Sequence, residues 1–106
     1  MKVSIIVAVY NIEKYLEKCL QSLILTNTHV NEIICVNDGS TDSSAKIVMK
    51  YQKRDKRIIL LNKENGGISS ARNAGIEKAT GDYLIFVDGD DYVNTENLKN
   101  VDRIRR

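Results

Sequence analysis

Apolar residues along this chain fall into four short runs, separated by segments in which they recur every three or four positions. Val3 to Val9 is the first run, and Glu32 to Asn37 holds a second, Ile33-Ile34-Cys35-Val36. Ile58 to Leu61 and Tyr83 to Val87 are the third and fourth. Runs of four to eight branched or aromatic residues bounded by turn formers predict buried strands. Between the first two, Ile12 to Leu25 places Tyr15, Leu16, Cys19, Leu20 and Leu23 at helical spacing, and Asn11 is suited to cap that helix. Asp38-Gly39-Ser40-Thr41-Asp42 reads as a turn into a second helix running to about Arg54. Ser40 or Thr41 would cap it, Asp42 would favour its positive end, and Ala45, Val48, Met49 and Tyr51 would be buried. Gly66-Gly67 precedes a third helix, Ile68 to about Ala79, with Ile68, Ala71, Gly75, Ile76 and Ala79 on its apolar face. A polar helix from about Thr95 is expected to carry the chain to its end.

Strand and helix alternate with short turns, which predicts an α/β fold: a mostly parallel sheet flanked by helices. Such sheets bind ligands at the carboxyl ends of their strands. Tyr10-Asn11, Asn37-Asp38 and Asp88-Gly89-Asp90-Asp91 all fall at such ends. Three carboxylates in four residues are costly to bury together and are either solvated or bound to a cation. Hard oxygen ligands suit Mg²⁺ or Mn²⁺, which in turn suit a diphosphate. Arg72, on the helix after Gly66-Gly67, could supply a positive charge to the same edge. Asp38 taken alone is equally a turn acid, and Arg72 alone equally a surface ion pair.

Length and composition narrow the field further. The 106 residues make one small domain, 42% hydrophobic, with a net charge of +2. That balance gives no sign of a nucleic-acid partner. Lys50, Lys53, Arg54, Lys56 and Arg57 read as the solvated face of a helix end, as do Arg103, Arg105 and Arg106, with attraction to an anionic membrane face a minor alternative. His29 is expected in a solvated connection. Cys19 and Cys35 lack metal-ligand spacing and read as reduced core thiols of a cytoplasmic protein. The longest apolar run, Ile5 to Tyr10, is too short to span a bilayer. Gly-x-Gly-x-x-Gly is missing after the first strand, where Tyr10 to Lys14 stands, and no P-loop is present.

Four segments together resemble family 2 glycosyltransferases, inverting enzymes with the Rossmann-like GT-A nucleotide-sugar-binding fold. They are Val3 to Asn11, Val36-Asn37-Asp38-Gly39-Ser40-Thr41-Asp42, Asn65 to Gly75, and Phe86-Val87-Asp88-Gly89-Asp90-Asp91. The resemblance covers nearly the whole chain but only the donor-binding, N-terminal portion of the family's catalytic domain, so 1–106 is expected to be part of a longer domain and inactive alone. It implies that Tyr10 and the backbone at Ala8 flank the nucleobase and that Asp38 accepts the uracil imide N–H. It places Arg72 near the base, Asp88 near the ribose and metal shell, and Asp90 on a divalent cation, Mg²⁺ or Mn²⁺, that bridges the phosphates. The implied reaction moves a sugar from a nucleoside diphosphate, most often UDP, to a hydroxyl on a saccharide, a lipid-linked sugar or a protein, as in surface-polysaccharide assembly. The implied place is the cytoplasm or the inner membrane face.

The family's carboxylate base would lie beyond Arg106. Ala8 stands where proline is frequent, Asn37 where an acid is frequent, and Thr95 where proline is common. None of these changes removes a needed donor or acceptor. A different class of function is a nucleotide-binding or interaction module without catalysis, paired as a homodimer through an exposed sheet edge. A nucleotidyltransferase would need a glycine-rich basic loop after the first strand, which Tyr10 to Lys14 lacks.

Overall fold

The computed structural model describes residues 2–25, 30–89 and 102–105. Strands β1 (Val3–Val9), β2 (Val30–Asp38), β3 (Ile58–Lys63) and β4 (Tyr83–Asp88) alternate with helices α1 (Glu13–Leu25), α2 (Ser44–Gln52) and α3 (Ile68–Lys78). The expected α/β architecture is present. The four strands are mutually parallel, in the order β3-β2-β1-β4. The chain first steps outward from β1 through β2 to β3, then returns through α3 to place β4 on the other side of β1. The order therefore reverses between β1 and β4, which is where an open α/β sheet offers a crevice.

Alternation along β1 sorts the core into two layers. Ile5, Val7 and Val9 pack with Leu16, Cys19, Leu20 and Leu23 of α1 and Val48 and Tyr51 of α2. Ile6 packs with Ile34, Val36, Leu84 and Phe86 beneath Ala71 of α3 and Ala79 just past its end. Each fully buried leucine of α1 contributes roughly 1.5–3 kcal/mol. Helix α3 uses small residues because it lies against the sheet: a Cβ on Gly75 would run into Ile6 Cγ2.

Several expectations are corrected. Residues 102–105 are not helical: Asp102–Arg105 forms β5, antiparallel to β4, pairing Leu84 with Ile104. The outer edge of β4 carries backbone donors and acceptors that need partners, and β5 supplies them. Tyr15 is 57% exposed and Met49 46% exposed, because Ile12 and Ile47 take the inward positions beside them. Arg57 is not part of a solvated face; it pairs with Asp55 at 2.8 Å and donates to the Ile24 carbonyl, satisfying an end of α1. Cys19 and Cys35 are buried free thiols, and burial foremost, with Cys19 adjacent, pushes the Cys35 thiol up. His29 and the proposed start of a helix at Thr95 lie outside the described residues.

At the opposite end of the sheet from the crevice, the buried Glu32 carboxylate accepts from Ser4 Oγ, Thr80 N and Thr80 Oγ1. Burial raises its pKa, and these hydrogen bonds outweigh burial, so it lies below its ordinary 4.5. A lowered folded-state pKa contributes stability that is complete above the unfolded value and lost as pH falls through the folded one. Glu32→Gln is expected to cost about 1–2 kcal/mol at pH 7 and much less at pH 3. Urea midpoints at the two pH values measure this; an equal loss at both would remove the charge from the account.

Candidate functional site

A cleft of about 500 Å³ opens at the reversal point. Ala8, Val9 and Tyr10 from the end of β1 form one wall, and Asp88 and Gly89 from the end of β4 form another. Asp38 from the end of β2 closes the far side with Asn65, Gly67, Ile68 and Ala71. The size matches that of small-ligand sites. Ile68, expected in the core, is 53% exposed because it stands at the first turn of α3 and faces this cleft.

Three loops meet there and hold one another. The Asn11 side-chain oxygen accepts from Thr41 N at 2.8 Å and Asp42 N at 3.3 Å. In return, Ser40 Oγ accepts from Asn11 N, Ser44 Oγ from Ile12 N, and Asp42 Oδ2 from Glu13 N. Glu13 closes the circuit by accepting from Ser43 N. Asn11 therefore ties the start of α1 to the loop before α2, in place of the expected cap on its own helix. It does so from φ +49°, a left-handed conformation that asparagine tolerates. Ser40 and Thr41 likewise do not cap α2, whose first residue is Ser44; its N–H donates to Asp42 Oδ1. This lock fixes Tyr10 and Ile12, both on the cleft.

Asp38 anchors the third loop. Its side chain is buried, with the residue only 4% exposed, and it gathers four donors. Oδ1 accepts from Lys63 Nζ and Gly66 N, each at 2.9 Å. Oδ2 accepts from Gly67 N at 3.0 Å and Asn65 Nδ2 at 3.3 Å. Burial raises the Asp38 carboxyl, while Lys63 and the two glycine N–H groups more than offset it, leaving the group below its ordinary value. Lys63 and Asn65 were not singled out in the sequence. The signal available was their place beside Gly66-Gly67, but nothing local shows that they fold back onto a residue 25 and 27 positions earlier.

Of the residues named from the sequence, Ala8, Tyr10, Asp38 and Asp88 come together around the cleft. Arg72 follows cleft-lining Ala71, and its guanidinium lies 5.2 Å from the Phe86 ring centroid, a cation–π distance. Asp90 and Asp91 lie outside the described residues. Among the described residues no group of three or more metal-ligating side chains converges. Asp88 offers a carboxylate to the cleft that no described side chain engages, which suits one oxygen ligand of a hard cation. No lysine or arginine is found among the described cleft-lining residues, so a bound diphosphate would need a counter-charge from elsewhere. No helix among the described residues is long and apolar enough to cross a membrane.

Known proteins share this fold. The family described as Glycosyl transferase family 2 matches residues 4–101. An uncharacterized glycosyltransferase of Bacillus subtilis, EpsJ, is 53% identical over 93 residues, 88% of this chain and 27% of that protein. The structure of S. aureus TarS 1–349 in complex with UDP-GlcNAc superposes with a TM-score of 0.79 at 40% identity, over 94% of this chain and 30% of that one. Mannosyltransferase PcManGT of Pyrobaculum calidifontis, solved with GDP-Man and Mn²⁺, shares the fold with a TM-score of 0.80 at 23% identity, over 90% of this chain and 29% of that one. The chain thus spans less than a third of the length of each.

Proposed function

The chain belongs to glycosyl transferase family 2, and on that footing we propose that its cleft binds the nucleoside diphosphate of a sugar donor, UDP-linked, with a divalent cation. The observation that carries this reading is the meeting of Tyr10, Asp38 and Asp88 at the reversal point of a parallel sheet. It is supported by the likeness to a protein solved with UDP-GlcNAc.

Each residue has a chemical task in this reading. Tyr10, 51% exposed on a locked loop, presents a ring face to the base. Asp38 accepts the imide N–H; a base without that donor leaves a buried acceptor unpaired, which is costly. Ala8 and Gly89 keep the floor low, and a Cβ on Gly89 would meet Ile12 Cδ1 and the Ala8 carbonyl. Arg72 reaches the donor on leaving the face of Phe86. Asp88 and Asp90 are the carboxylates that would hold Mg²⁺ or Mn²⁺. When bound, the cation offsets the charge that builds on the departing nucleoside diphosphate. In the whole protein a hydroxyl of a saccharide, lipid-linked sugar or protein would attack the anomeric carbon in line, with inversion, after losing its proton to a carboxylate outside these residues.

Calorimetric titration with UDP, with and without Mn²⁺, tests the reading, with GDP as the control. Binding of UDP that needs Mn²⁺ is expected, as is its loss by at least about tenfold in Asp90→Asn, by removal of one ligand charge. Unchanged binding in that variant would sink the metal assignment, and equal binding of GDP would sink the base assignment.

A further inference from the structure

The two oxygens of Asp38 are held differently, and the difference assigns a role to Lys63. Asn65 and Gly67, the donors on Oδ2, line the cleft. Lys63 and Gly66, the donors on Oδ1, are not among its lining residues. The carboxylate therefore turns Oδ2 to the cleft and Oδ1 to the loop behind it. The weakest of the four contacts, Asn65 Nδ2 at 3.3 Å, is on the cleft side. An incoming N–H can displace or share that contact without disturbing the two backbone donors or the lysine.

From this geometry we infer that Lys63 is a positioning residue, which fixes Asp38 as a charged acceptor aimed at a ring N–H of the nucleobase and so sets the preference for an imide. The inference rests on the reading of the cleft as a nucleotide site. Three features of Lys63 support it. Its ammonium sits 2.9 Å from Oδ1 with both side chains mostly buried, at 21% and 6% exposure, so water screens the pair little. A second hydrogen bond, to the Glu64 carbonyl, fixes the ammonium from another direction. The residue stands at the end of β3, in register with Asp38 at the end of β2, so the sheet itself sets the separation.

Two backbone N–H groups would orient the carboxylate without Lys63, but they leave it no full counter-charge. Loss of the counter-charge raises the pKa of the buried carboxylate, against the two backbone N–H groups that lower it. A neutral carboxyl can present a hydroxyl to the cleft and would then favour a base that offers a ring acceptor. The preference for a ring donor thus depends on a residue that the base need not touch.

The test compares UDP with its N3-methyl analogue, in which the imide N–H is replaced by a methyl group, using calorimetry with Mn²⁺ at neutral pH. The unsubstituted chain is expected to prefer UDP by at least about tenfold. In Lys63→Met that preference is expected to fall to about twofold or less, through weaker UDP binding with little change for the analogue. Lys63→Arg, which keeps the charge, is expected to recover most of it. Equal weakening of both ligands in Lys63→Met would reduce Lys63 to a structural role and overturn the inference, as would an unchanged preference. Should Lys63→Met lose its folded circular dichroism, Lys63→Gln, which keeps a hydrogen-bond donor without charge, decides between the same outcomes. Failure of the underlying reading appears separately: the unsubstituted chain would then bind neither ligand, or both equally, before any variant is made.

Discussion

Asp38→Asn is expected to abolish measurable UDP binding, a loss of at least about a hundredfold, and to lower stability by about 2–4 kcal/mol. The substitution keeps the shape of the side chain and changes only charge and hydrogen-bond polarity. One of its two terminal atoms becomes a donor facing donors: Lys63 and Gly66 N on one side, Gly67 N and Asn65 Nδ2 on the other. Either orientation of the amide leaves a backbone N–H opposed, and the Lys63 ammonium loses its counter-charge. For a domain of this size the stability change corresponds to a fall of roughly 10–20 °C in Tm. Thermal melts by circular dichroism and UDP titration measure the two effects separately. A variant with unaltered Tm would show that the carboxylate does not hold the β3–α3 loop. A variant that binds UDP normally would remove Asp38 from the recognition of the base. Because the lowered pKa of Asp38 makes its contribution complete above the ordinary value and lost as pH falls through the folded one, the stability gap is expected to narrow as pH falls below the ordinary carboxylate value.

Asp38 also shows where sequence reading reaches its limit. The apolar runs of β1, β2 and β4 were legible because burial on both faces leaves little room for polar residues. The placing of Tyr10, Asp38 and Asp88 at the carboxyl ends of parallel strands followed from the alternation of elements, whereas the order of those strands in the sheet did not. What could not be read was which donors Asp38 would gather, since Lys63 and Gly66 come from a loop positioned only by the sheet register. Asn11 was misread for a related reason. Its position before a helix suggests a cap on that helix, but a left-handed φ turns its side chain across to Thr41 and Asp42. Tertiary partners overrode the local preference of both residues. Arg72 is a different case. Its helix was foreseen, but its guanidinium is drawn to the aromatic ring of Phe86, a contact between α3 and β4 that periodicity does not encode. The strand at Asp102–Arg105 carried almost no signal, because three of its four residues are charged and only pairing with β4 gives them regular structure.

Gly39→Ala is expected to be the most damaging single change in the loops around the cleft, because two independent costs coincide there. The first is conformational. Gly39 has φ +74°, where an L-residue pays roughly 1–2 kcal/mol. The second is steric. A Cβ at this position would lie 2.8 Å from the backbone nitrogen of Asn65 and 3.0 Å from its Cβ. Backbone cannot rotate away as a side chain can, so the β3–α3 loop must shift, and with it the Asn65, Gly66 and Gly67 donors that meet Asp38. Gly67 separates the two costs. It too has positive φ, +93°, but a Cβ there would meet nothing within 4 Å. Gly67→Ala is therefore expected to cost roughly 1–3 kcal/mol from backbone conformation alone. Gly39→Ala should exceed it by at least about 1 kcal/mol and should weaken UDP binding by about tenfold or more through displacement of the Asp38 donors. Urea unfolding of both variants, with UDP titration of each, provides the comparison. Equal destabilisation would mean that the close approach of the two loops costs nothing to disturb. Intact binding in Gly39→Ala would mean that the loop donors hold Asp38 in place even when Asn65 is displaced.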